Sequence, residues 1–170
     1  MKRLLPFLIC IALAWSSCTN SAVSPTITKG TITATINGVD ETFNVSDSVK
    51  YIAKQPQTAD WWLILSGHNG EAASSDQFFL TLDYQAPIVA GVTYNNEITD
   101  HPINVTISYK TSVKQYMASY GSPLPVNITI TSFSSTNVQG TFSGSPSNNG
   151  ETKTITNSKF SLDFSTPVNP

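Results

Sequence analysis

Most of the chain alternates apolar and polar residues with a period of two, the pattern of strands that bury one face. Residues 30–36 set Ile32, Ala34 and Ile36 on one face. Asn37-Gly38 comes next, a pair suited to the positive φ that a two-residue hairpin turn needs at both central positions. The return strand carries Val39 and Phe43, and a short strand at 49–53 runs into Gln55-Pro56-Gln57. Residues 61–67, WWLILSG, are apolar on both faces and predict a central strand. Residues 79–84 alternate again, 90–94 read as a turn and a short strand, and 103–109 set Ile103, Val105, Ile107 and Tyr109 inward. Strands follow at 126–133, with Val126, Ile128 and Ile130 on one side, and at 138–143. Residues 144–151 read as a loop tip, and 155–164 close the domain with Phe160, Leu162 and Phe164. The spacing of these signals predicts an all-β fold: an antiparallel β-sandwich or flattened barrel of about nine to ten strands, with little or no helix.

Residues 113–120 support two readings. Val113, Tyr116, Met117 and Tyr120 fall at helical spacing, with Ser112 as an N-cap and Gly121 just past the end. The same residues also read as an extended strand with Tyr116, Ala118 and Tyr120 on one face.

The N-terminus breaks the alternation. Lys2 and Arg3 precede an apolar run at 4–15. A run of about 12 residues is too short to span a bilayer, which takes roughly 20, but it has the length and flanks of a secretory leader. Ala12-Leu13-Ala14 offers one cleavage site, yet a cut there falls inside the apolar run. Ser16-Ser17-Cys18 offers another, with small polar residues before a cysteine, as at a bacterial lipoprotein processing site. The second reading makes residues 1–17 the signal peptide and Cys18 the lipidated first residue. Of the two cysteines in the chain, Cys10 then leaves with the leader, and acylation removes the problem of a lone exported thiol. Two acyl chains at ~0.8 kcal/mol per buried CH₂ hold a membrane with on the order of 20 kcal/mol. Residues 18–29 form the lipidated end and a flexible tether, 30–164 a single β domain, and 165–170 a C-terminal tail.

Charged residues make up only 12% of the chain. Nine basic residues less Lys2 and Arg3 leave seven, all lysine, against eleven acidic residues. The mature chain therefore carries a formal charge of −4 and no arginine. That argues against nucleic acid as a partner, because lysine and arginine supply most of that affinity. It also disfavours bidentate capture of phosphate or carboxylate, which is arginine chemistry.

Candidate chemistry is sparse. Trp61 and Trp62 must point to opposite sides of a strand, so one enters the core and the other is a possible ligand contact. His68 and His101 lack metal-ligand spacing, and no metal or cofactor is indicated. Ser66, His68, Asp100 and His101 supply the parts of a hydrolytic triad, but no nucleophile-elbow motif accompanies them. Residues 95–100 offer oxygen ligands without the acidic spacing of a calcium loop. Asn44, Asn104 and Asn127 head formal N-glycosylation sequons, which Thr- and Asn-rich strands produce by chance.

The stretches TITATINGVDETF and ITITSFSSTNVQGTFSG, together with ITNSKFSLDF, resemble a group of small Bacteroidota lipoproteins that carry a domain of unknown function. The shared pattern is an opening Asn-Gly hairpin, a middle strand ending in Gly, and a closing ITIT, GTF and terminal-strand unit. The resemblance spans most of 30–164 and favours the strand reading at 113–120. It implies an envelope location and a β fold, and transfers no catalytic or binding residues. In that setting Asp47-Ser48-Val49 matches a short O-glycosylation signal, with Ser48 as the acceptor. Surface-exposed lipoproteins of this group carry acidic residues soon after the cysteine, and Thr19-Asn20-Ser21-Ala22 has none. The expected location is the outer membrane, facing the periplasm. The expected role is a non-enzymatic binding or accessory module for a glycan or another envelope protein, with Trp61, Trp62 or the tyrosine-bearing strands as its contact surface. A structural subunit and a carrier of a small apolar ligand are the alternatives, and a hydrolase is disfavoured.

Overall fold

A computed structural model describes residues 30–44, 49–52, 60–70, 76–96, 104–119, 121–164 and 166–169. Within them the chain forms thirteen strands and no helix. They are β1 (Gly30–Ile36), β2 (Val39–Asn44), β3 (Lys50–Ile52), β4 (Trp61–His68), β5 (Gln77–Tyr84), β6 (Val92–Asn95) and β7 (Asn104–Lys110), then β8 (Gln115–Ala118), β9 (Val126–Phe133), β10 (Asn137–Gly144), β11 (Ser147–Asn148), β12 (Glu151–Thr152) and β13 (Ile155–Asp163). All pairings are antiparallel. The strands make one curled sheet in the order β12-β11-β8-β7-β5-β4-β2-β1-β13-β10-β9-β6, with β3 paired to β4 beside that path.

The strand count exceeds the nine to ten expected. Two of the extra strands, β11 and β12, flank Asn149-Gly150 inside the stretch read as a loop tip. Both turn residues have positive φ, 48° and 86°, the same turn chemistry as Asn37-Gly38 at 50° and 85°. Their flanks are polar, so no hydrophobic alternation marks them. The third is β8. Residues 115–118 are extended, with Tyr116 and Ala118 buried and Gln115 and Met117 exposed, as the strand reading required. Tyr120 and Ile103 lie outside the described residues.

The core follows from the period-two pattern. Ile32, Ala34 and Ile36 of β1, Leu63 and Leu65 of β4, Leu80 and Leu82 of β5, and Val105 and Ile107 of β7 are buried on the concave side. Val126, Ile128 and Ile130 of β9 and Phe160 and Leu162 of β13 are buried with them. Aromatic contacts bridge the two halves of the curl. Phe78 of β5 meets Phe142 of β10 at 5.0 Å between ring centroids, Tyr51 of β3 meets Phe133 of β9 at 5.0 Å, and Tyr84 meets Tyr94 at 5.3 Å. Such pairs add about 0.5–1.5 kcal/mol each beyond the area they bury. The convex side stays in water, and there the polar half of each strand is displayed.

Candidate functional site

The two tryptophans separate as strand geometry demands. Leu63, Leu65 and Gly67 of β4 are buried, and Trp61 shares their side and packs against the core. Trp62 lies on the convex face with Ile64, Ser66 and His68. The ladder then fixes its neighbours in rows. Trp62 sits between Ile52 and Asp83. Ile64 sits between Lys50 and Thr81. Ser66, Phe79, Ser108 and Met117 form a third row across β4, β5, β7 and β8. His68, Gln77, Lys110 and Gln115 form a fourth.

An apolar strip therefore crosses the convex face from Ile52 and Trp62, through Ile64, to Phe79 and Met117. Phe79 is 43% and Met117 48% exposed, and they are the exposed members of this strip. Between them the smaller Ser108 is buried and accepts a 2.9 Å hydrogen bond from Gln115 Nε2. The result is a groove of about 280 Å³, walled by Phe79 and Met117, floored by Ser108 and Thr106, and bordered by Gln77, Lys110 and Gln115. At the Trp62 end, burial pushes the Asp83 carboxyl above its ordinary range, and the neighbouring Asp60 carboxylate adds to this. The Trp62 indole N–H pulls the other way. Asp60 Oδ1 and Trp62 Nε1 are buried without a hydrogen bond of regular geometry.

The other half of the convex face is chemically different. A depression of about 360 Å³ is lined by Thr31, Thr33, Thr131, Thr141, Ser161 and Lys159, among others. It displays hydroxyls and no exposed aromatic ring.

The strands β7 and β8 carry their tyrosines on the buried side, so Tyr109 and Tyr116 do not line the convex face. Tyr109 and Tyr116 are buried and stacked at 6.2 Å. Tyr109 Oη donates to Asp76 Oδ2 at 2.5 Å. Burial pushes this phenol well above its ordinary range, and the Asp76 and Glu41 carboxylates add to the effect. Phe79 and Met117 take the place of the tyrosines on the outside. Phe79 shares its side of β5 with Thr81 and Asp83, and Met117 reaches the outside because residues 115–118 are extended.

The remaining candidates divide. Ser66 and His68 share the convex side of β4, and His68 Nδ1 is hydrogen-bonded to the Gly70 carbonyl. Asp100, His101, Ser48 and Cys18 lie outside the described residues, as do residues 97–100 of the calcium candidate. Asn96, in that same stretch, has a structural task. Its Nδ2 donates to the Leu124 carbonyl at 2.9 Å and to the Ser119 and Ser122 carbonyls at 3.3 and 3.4 Å. Its Oδ1 accepts from the Val126 N–H at 2.9 Å. Among the described residues no group of three or more His, Cys, Asp or Glu side chains gathers to hold a metal. Comparison with family models, curated proteins and solved structures gives no match to this chain.

Proposed function

We propose that this protein is a binding module of the cell envelope, held by acylated Cys18 to the periplasmic side of the outer membrane, and that it captures a glycan on the convex face of β4, β5, β7 and β8. The single observation behind this is the apolar strip of part-buried Trp62 and Ile64 and exposed Phe79 and Met117 on a sheet face that is otherwise polar. A sugar ring has an apolar C–H face and a rim of hydroxyls. Aromatic side chains match the first, and the interleaved Thr81, Thr106, Ser108 and Gln115 match the second. From the Trp62 row to the Phe79 row is four residues along β4, about 13 Å at the usual strand rise, which accommodates a short oligosaccharide. The tether at 19–29 gives the domain reach beyond the membrane surface.

The test uses the detergent-extracted mature protein on a panel of immobilised oligosaccharides, with tryptophan fluorescence as a second readout. Trp62→Ala and Phe79→Ala are each expected to weaken retention about tenfold, roughly 1.4 kcal/mol, without changing the circular dichroism. Thr33→Ala, on the other half of the convex face, leaves retention unchanged. Intact mass of the same preparation gives a chain that starts at acylated Cys18. Failure of every glycan to bind, or indifference to both substitutions, would sink the binding reading. An unmodified N-terminus at another residue would sink the anchor.

A further inference from the structure

We infer that the groove between Phe79 and Met117 selects an acidic sugar, one that carries a carboxylate, and sets the direction in which the glycan lies; this rests on the glycan reading above. Phe79 and Met117 stand two strands apart, about 10 Å between backbones, so their side chains flank a gap one ring wide. Ser108 and Thr106 place hydroxyls on its floor, and Lys110 closes one end between Gln77 and Gln115. Lys110 is exposed and is the only charged residue lining the groove. It makes no ion pair among the described residues, whereas Lys114 and Lys153 nearby are both committed to Glu151. An ammonium on a flexible stem is a point charge that can pair with one carboxylate without the fixed fork geometry of arginine.

The opposite end of the strip has the opposite sign. Asp60 and Asp83 lie beside Trp62, and a second acid there would be repelled. The ligand therefore sets its acidic unit in the Lys110 groove and an uncharged unit over Trp62. The net charge of −4 on the mature chain does not cancel this preference, because charges beyond about 8 Å are largely screened at physiological salt.

The experiment is calorimetric titration of the detergent-extracted mature protein with an oligogalacturonate and with its carboxyl-reduced, neutral counterpart. The acidic form is expected to bind about three- to fivefold more tightly, within the range that an exposed ion pair supports. The difference narrows in 0.5 M salt, disappears in Lys110→Gln and persists in Lys110→Arg. Lys159→Gln, on the other half of the face, leaves it intact. Equal or tighter binding of the neutral form, still lost in Phe79→Ala, would overturn the acidic preference and leave the glycan reading standing. Binding of neither form would remove both.

Discussion

At the scale of single residues, Asn96 shows how a side chain in a polar loop can hold distant backbone. Its amide reaches the carbonyls of 119, 122 and 124 and the N–H of 126. They lie where the chain turns into β9, and the Ser119 carbonyl also accepts from the Ser122 N–H at 2.9 Å. Asn96→Ala removes the amide partner of the buried Val126 N–H and the part-buried Leu124 carbonyl, at about 1–3 kcal/mol for each group that water cannot reach. The expected loss is about 2–3 kcal/mol, read as a lower urea midpoint by tryptophan fluorescence. Asn96→Asp recovers little, because a carboxylate would face three carbonyl oxygens. A midpoint unchanged in both variants would deny Asn96 this role. The sequence could not announce it, since the partners lie 23 to 30 residues away, and the local string suggested metal ligands instead. The tryptophan pair was half legible. That they diverge follows from strand geometry alone, whereas which one turns inward depends on the burial of Leu63 and Leu65 beside Trp61.

At the scale of elements, one carboxylate gathers the charged contacts of the β11–β12 hairpin, which is also tied to β8 by Asn148 Nδ2 donating to the Gln115 carbonyl at 2.7 Å. Glu151 is ion-paired with Lys114, lies 3.1 Å from Lys153 Nζ, and accepts a 2.7 Å hydrogen bond from Tyr116 Oη. Lys153 also sits 4.8 Å from the centre of the Tyr116 ring. The Lys114 hydrogen bond, then those from Tyr116 and Lys153, hold the Glu151 carboxyl down to about 2 from its usual 4.5. A depressed carboxyl stabilises the folded form fully above its unfolded value and loses that contribution as pH falls through its folded one. The clasp is therefore expected to hold at pH 5 and to loosen toward pH 2. The amide shifts of Asn148 and Gly150 should report this with a midpoint near 2, and Glu151→Gln should abolish the transition. A midpoint near 4.5 in the unaltered protein would mean that the clasp does not form in solution. Core-bearing strands such as β1, β5 and β9 were readable from alternation, because each has one wet and one dry face. The clasped hairpin was not, since its strands are two residues long and polar, and its stability comes from Tyr116 and Lys114, more than 30 residues earlier.

At the scale of the whole molecule, the strand order joins the two ends of the domain. β1 lies between β2 and β13, and β13 lies between β1 and β10. The last strand is thus interior to the sheet, with both edges paired and with Ile155, Phe160 and Leu162 in the core. Alternation could predict that β13 exists and which side it buries. It could not predict the partner, because pairing across more than a hundred residues leaves no local trace: Asn37 Oδ1 accepts from the Thr154 N–H across 117 residues. Such non-local closure costs loop entropy before contacts repay it, so folding should be slow for the size of the domain. A chain ending at Thr154 would leave β1 and β10 each with a bare edge, exposed hydrophobic surface and no way to complete the core. It is expected to show no cooperative thermal transition and to aggregate. A chain ending at Phe164 keeps the last strand whole and should unfold cooperatively, with circular dichroism and tryptophan fluorescence giving the same midpoint. A sharp transition in the shorter chain would mean that β1 through β10 form a self-sufficient sheet and that β13 only decorates it. Its central place in the ladder, with the close approach of the Phe160 ring to Gly140, where an added Cβ would come within 2.4 Å of it, argues that β13 completes the fold.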